Sequence, residues 1–299
     1  MGWRPVLLFA GYLLVAPPMF VFGPLVGLLL LSRPGTAREW TWLAIGVAWS
    51  AVWLLDTGGL GEQFVRATAV LVTGSYVALT AWRPSNRLSR SLAATAGAGL
   101  AVAVWMLGLG LHWSELSGAV RHDLATFDRM ARAQWSGVSG ATQALSDLSA
   151  MADTVSTLYP GLLALAAIAG LRLAWTWHHR IAERPIGPPP APFTGFTFND
   201  QMVWGLVAGV AFMLLPGPEA ARLVGANLML VWAALYAVRG LAVAAVAAAR
   251  VPGAVLVAIA AVALLLMPFV LGGLTLLGLA DTWLDFRRRL APATGGFHR

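Results

Sequence analysis

Cysteine is missing from this 299-residue chain, and so is lysine. Without cysteine there is no disulfide, no thiol nucleophile and no thiolate metal site. Without lysine, all 20 of its Lys-or-Arg positions are arginine. Charge of either sign is scarce: 11% of residues, against about 25% in an ordinary soluble domain. The motifs of common enzyme sites are absent as well. No G-x-S-x-G elbow, H-E-x-x-H pair or Walker loop occurs. A catalytic activity is therefore not expected, and neither a metal nor another cofactor is called for.

What the chain has is apolar side chains, at 59% of its length. A domain of this size still needs a charged surface around its core, so lipid is the solvent that fits the composition. The formal net charge of +7 does not point to nucleic acid. The arginines stand in short clusters between apolar runs, which is how basic loops mark the cytoplasmic side of a membrane protein. Several of the 14 tryptophans lie near the ends of those runs, among them Trp40, Trp82, Trp113, Trp177 and Trp283, as in an interfacial belt.

About 20 apolar residues cross a hydrocarbon core of about 30 Å. The first run, 5–31, is interrupted by Pro17-Pro18 and Gly23-Pro24, and reads as one kinked span or a short re-entrant pair. Further spans are expected at 40–55, 63–82, 91–111, 156–177, 201–215, 223–249 and 251–283. The last is broken by Met267-Pro268 and Gly272-Gly273, and crosses either once or twice. The fold class is thus all-α: a polytopic transmembrane bundle of about 8–10 spans, some broken. Arginines gather at 32–39, 83–90, 178–184 and 287–289, and most acidic residues fall in the alternate links 56–62, 112–159 and 216–219. This places the Arg-rich loops, and the C-terminus if the last run crosses twice, in the cytoplasm of a bacterium, with the chain in its inner membrane.

The long link is the exception to the apolar pattern. Leu116, Val120, Leu124, Phe127, Ala131 and Trp135 recur at helical spacing, as do Leu145, Leu148, Ala152 and Val155. Arg121, Asp123, Asp128, Arg129, Arg132, Asp147 and Asp153 occupy the other face, and Ser136-Gly137 and Ser139-Gly140 offer a break. An extracytoplasmic pair of amphipathic helices is expected, either a packed hairpin or a lid. The organisation that follows is a bundle over 1–111, the amphipathic segment 112–158, and a second bundle over 159–290. That second bundle contains a Pro-rich cytoplasmic link at 180–200, and 291–299 forms a flexible tail.

Ionisable side chains at membrane depth are the functional candidates, because keeping them there costs several kcal/mol. Arg239 lies 16 residues into an apolar run, with Asn227 about three turns before it on roughly the same face. The pair reads as a contact for an anion or carboxylate ligand, or else Arg239 snorkels to the interface. Asp281 and Asp285 share a face at i and i+4. With the adjacent Arg287, Arg288 and Arg289 they read as structural ion pairs, Arg288 as partner, rather than as an acid–base pair. His178-His179 has weak metal character, because adjacent helical residues diverge by about 100° and no third ligand is near. Gly97-Ala98-Gly99 and Gly205-x3-Gly209 are small-residue surfaces suited to helix packing.

The C-terminal half also carries a resemblance. Pro192-Phe193 followed by Asp200-Gln201-Met202-Val203-Trp204-Gly205, then Tyr236-Ala237-Val238-Arg239-Gly240, then Gly278-Leu279-Ala280-Asp281-Thr282-Trp283-Leu284-Asp285-Phe286-Arg287, resembles the YybS-like family of bacterial integral membrane proteins. That family is distantly similar to the substrate-binding S-components of energy-coupling-factor transporters. The resemblance implies a small-molecule-binding or transport role beside another membrane protein or an energising module. This chain is longer than a typical S-component and carries the 112–158 insertion. The rival reading is a membrane scaffold or assembly factor with no ligand.

Overall fold

The computed structural model describes residues 12, 16–55, 58–84, 88–135, 141–249 and 251–290, with side chains described at all of these except 135, 141–149, 288 and 290. The Ser/Gly break at 136–140, Arg250 and the 291–299 tail lie outside them. All regular structure among the described residues is helical. Among the described residues, five helices are long and apolar enough to cross a membrane, and three shorter ones are strongly apolar. The chain folds as two compact units, 1–190 and 191–299, dividing inside the Pro-rich link.

In the first unit, α1 (Met19–Leu31) begins directly after Pro17-Pro18, but Gly23-Pro24 does not interrupt it. Proline at position 24 frees the carbonyl of Phe20 from its usual helical partner. The backbone of Gly170 packs against that carbonyl so closely that a Cβ there would sit 2.6 Å from it. α2 (Ala37–Leu55) runs back beside α1. α3 (Leu60–Trp82) and α4 (Leu88–Gly108) form the next hairpin.

α5 (Trp113–Trp135) is the first amphipathic helix. The second is not a separate element. It is the leading part of α6 (Ala141–Ile181), one helix of 41 residues that runs into the span through Pro160. Its length of about 60 Å is twice a hydrocarbon core, so its leading part projects from the bundle and packs along α5. Arg121 joins Asp153 at 2.9 Å and Ser156 at 3.2 Å. The base of this hairpin is anchored: Leu116 is buried with Val102 and Met106 of α4, against Leu60 and Phe64 of α3. Where the sequence groups 159–290 into one bundle, the structure places α6 wholly in the first unit.

The arginine-bearing turns of this unit meet at one end. Arg38 donates to the carbonyl of Arg180 at 2.7 Å, and Gly187 packs against Trp175 and Pro84. Arg90 reaches the hydroxyl of Thr80 and the carbonyl of Arg83. Glu39 is the buried knot. With Thr36 it forms a reciprocal N-terminal cap on α2, Thr36 N–H and Oγ1 donating to Oε2 at 2.8 Å each. Oε2 also accepts from Gly35 N–H, and Oε1 accepts from Glu183 N–H, both at 2.9 Å.

The bonds from Glu183, Thr36 and Gly35 hold the Glu39 carboxyl down at about 2, against a usual 4.5. A carboxyl lowered on folding contributes stability that is complete above its unfolded value and lost as pH falls through its folded one. Thermal melts from pH 6 down to 2 should therefore show a loss between pH 4.5 and 2 that Glu39→Gln removes. An equal loss in the variant would place the acid-sensitive group elsewhere.

In the second unit, α7 (Val203–Leu214) pairs antiparallel with α8 (Glu219–Ala248). Gly205 meets Trp232, Gly209 meets Met229, and Gly225 meets Met213. α10 (Met267–Leu284) instead lies parallel to α8. Thr275 Oγ1 donates to the carbonyl of Ala233, and Arg239 bonds Asp281, both pairs 42 residues apart. A constant offset occurs only when two helices run in the same direction. The intervening α9 (Gly253–Leu265) must then carry the chain back, so the final apolar run is two helices, broken at Leu266–Pro268. The start of this unit and its last described helix, α11 (Phe286–Leu290), lie together at one end of it.

Candidate functional site

The parallel pair α8 and α10 can approach closely because each presents a glycine at the crossing. A Cβ on Gly240 would fall on the carbonyl of Leu274, and one on Gly278 on the carbonyl of Tyr236. Arg239, the residue before Gly240, lies beside this contact and is only 5% exposed. It does not snorkel. Its Nε donates to Asp281 Oδ2 at 3.0 Å and its Nη2 to the Asp281 carbonyl at 3.2 Å.

Asp281 is 2% exposed and accepts from a second arginine, Arg287, at 2.7 Å. That arginine is brought back by Asp285, which adopts φ 44°, ψ 54° and ends α10. Aspartate tolerates this left-handed conformation better than most residues. The closing Asp-x-x-x-Asp-Phe-Arg signature is thus a helix stop that returns an arginine onto the first aspartate. Asp281 is an ion-pairing residue, but its partners are Arg287 and the distant Arg239. Asp285 is exposed at the turn, and the side chain of Arg288 lies outside those described.

A surface strap covers the cluster. Phe193–Gly195 forms a short 3-10 turn, and Arg287 Nη1 donates to the carbonyls of Thr194 at 3.2 Å and Phe196 at 2.8 Å. The Phe198 ring lies 5.3 Å from the Arg239 guanidinium and edge-on to Tyr236 at 5.1 Å. Asp200 Oδ1 stands 3.6 Å from Arg239 Nη1, an ion pair at longer range.

Hydrogen bonding within the cluster is incomplete. Arg239 Nη1, Asp281 Oδ1, Tyr236 Oη and Thr282 Oγ1 are all buried and make no hydrogen bond. The Tyr236 and Thr282 hydroxyls are neighbours.

Asn227 is not part of this site. Its Nδ2 donates to the Leu223 carbonyl of its own helix at 2.9 Å, and 12 residues place it about 18 Å from Arg239 along the axis. In the other unit, His178 accepts the Ile186 N–H at Nε2 while His179 Nδ1 meets the Trp175 carbonyl. The two rings stand at 88° and serve different partners.

The C-terminal signatures are built into this cluster, and the family assignment covers them as far as Thr282. A family of predicted membrane proteins, DUF2232, matches residues 6–282. The chain belongs to that family. The YybS-like resemblance of the sequence is consistent with the assignment. No curated protein and no solved structure matches the chain. For this DUF2232 protein, the family match and the apolar helices together establish an integral membrane protein.

Proposed function

We propose that this protein binds or helps transport a small molecule, in the manner of an S-component, within a bacterial cytoplasmic membrane. The reading is carried by one observation: a buried arginine–aspartate pair with hydrogen-bonding capacity left over on both partners. Charges at this depth are costly and characteristically mark substrate or ion pathways. The broken run around Met267-Pro268, with a short returning helix between two parallel ones, supports it, since discontinuous helices flank many transport sites. The reading assigns no catalytic step to the chain, and leaves energy input to a separate membrane partner.

Native mass spectrometry of the gently extracted full-length protein tests the reading. A small molecule should remain bound, or a library of polar metabolites should raise the melting temperature. Neither result would return the protein to the ligand-free scaffold reading, which the Asn227–Leu223 bond and the closed glycine crossing favour.

The arginine-bearing turns are assigned to the cytoplasm and the α5–α6 hairpin to the opposite side. Reporter fusions at Ser85 and Ser139 should report opposite compartments. A shared compartment would sink the orientation.

A further inference from the structure

We infer that the Arg239–Asp281 cluster receives a ligand of zero net charge that carries an anionic acceptor at one end and a cationic donor at the other. This rests on the ligand-binding reading above and names the chemical class.

The cluster holds two cations, Arg239 and Arg287, and two anions, Asp281 and Asp200. A bare anion brought to Arg239 would stand beside Asp281, and a bare cation brought to Asp281 would stand beside two guanidiniums. Either would leave a buried net charge, which low-dielectric surroundings penalise. A bipolar ligand adds none.

The unmet hydrogen-bonding atoms make the same demand. Arg239 Nη1 can only donate and Asp281 Oδ1 can only accept. A matching ligand supplies one acceptor and one donor a few ångströms apart, as an amino acid zwitterion does. The Tyr236 and Thr282 hydroxyls can play either part and adjust to the rest of the head group. Buried polar atoms left without partners carry an unrecovered desolvation cost, so a ligand that completes them gains what the empty cluster forgoes.

Access is through the strap. The segment from Phe193 to Phe198 lies on the surface, bonded to the cluster by Arg287 and packed on it through the Phe198 ring. The ligand reaches Arg239 from beneath this strap and not through the α8–α10 contact.

The test compares three probes at equal millimolar concentration on the full-length protein in detergent, followed by tryptophan fluorescence on heating. The free zwitterion alanine should raise the melting temperature, whereas propionate and ethylamine should not. Tyr236→Phe combined with Thr282→Val exchanges both hydroxyls for shape-matched apolar groups. This variant should fold as the parent does, yet bind alanine at least fivefold more weakly.

A shift of equal size from propionate or ethylamine, or an alanine shift unchanged in the double variant, would overturn the inference. So would no shift from any probe. A small molecule that co-purifies equally with the parent and with Arg239→Gln would remove this site while leaving the broader ligand-binding reading intact. If nothing co-purifies and no probe or library compound binds, both fail together.

Discussion

Asp281→Leu should destabilise the second unit by about 3–5 kcal/mol, the usual cost of breaking a buried ion pair from one side. The loss exceeds that of a single hydrogen bond because Asp281 accepts from Arg239 at 3.0 Å and from Arg287 at 2.7 Å. Without it, Arg239 stays buried between two helices with only the more distant Asp200 to offset it. Asp281→Asn keeps the shape and one acceptor oxygen but removes the charge, so it should lower expression and melting temperature by a smaller amount.

The decisive comparison is Asp281→Leu with Arg239→Leu. If the penalty comes from an uncompensated charge, the double variant should be more stable than either single one. Replacing both members of a buried pair with apolar groups is often close to neutral. Melting curves of all four proteins in one detergent measure the coupling. An Asp281→Asn protein as stable as the parent, or strictly additive penalties, would show that the pair does not hold α8 to α10.

The sequence makes half of this pair conspicuous and hides the other half. Arg239 stands out because it interrupts an apolar run, and Asp281 because it precedes three arginines. Their contact could not be read, since it spans 42 residues and depends on two helices running parallel. The run 251–283 contains a single charged residue, Asp281, close to its end, so no charge signals where it turns back. Met267-Pro268 marks a break, but a break is compatible with a kink or with a reversal. Only the constant offset of Ala233–Thr275 and Arg239–Asp281 decides for reversal. Tyr236 was accessible in principle, because three residues before Arg239 puts it on the same helical face.

The amphipathic segment teaches a different lesson. Its 3.6-residue period and its polar face are plain in the sequence, and α5 follows them. The second half does not stop near residue 158, because a change from amphipathic to fully apolar composition alters what a helix touches and not whether it continues. Pro160 did not end it either, and is contained within α6. Periodicity is also silent about which face of a wholly apolar helix meets protein. Gly97 and Gly99 have the composition of a packing surface, yet each faces open space. Ala98 between them is buried.

Gly240→Ala and Gly278→Ala should each destabilise the second unit by about 1–3 kcal/mol or more, the range for overpacking a close contact. The added methyl would fall on a backbone carbonyl, that of Leu274 or of Tyr236, and a carbonyl held in a helix cannot rotate away as a side chain can. The helices must move apart instead. The Arg239–Asp281 bond at 3.0 Å lies one turn from the crossing and would stretch with them. Alanine otherwise favours a helix interior over glycine by about 1 kcal/mol. Gly97→Ala and Gly99→Ala, where nothing is displaced, should therefore be neutral or mildly stabilising. The same substitution at four helical glycines thus has opposite expected signs according to what the new carbon meets. Melting temperatures of the four variants separate the two cases. Equal behaviour at 278 and 97 would mean that α8 and α10 do not meet backbone to backbone, and the buried pair would lose the contact that brings its two halves together.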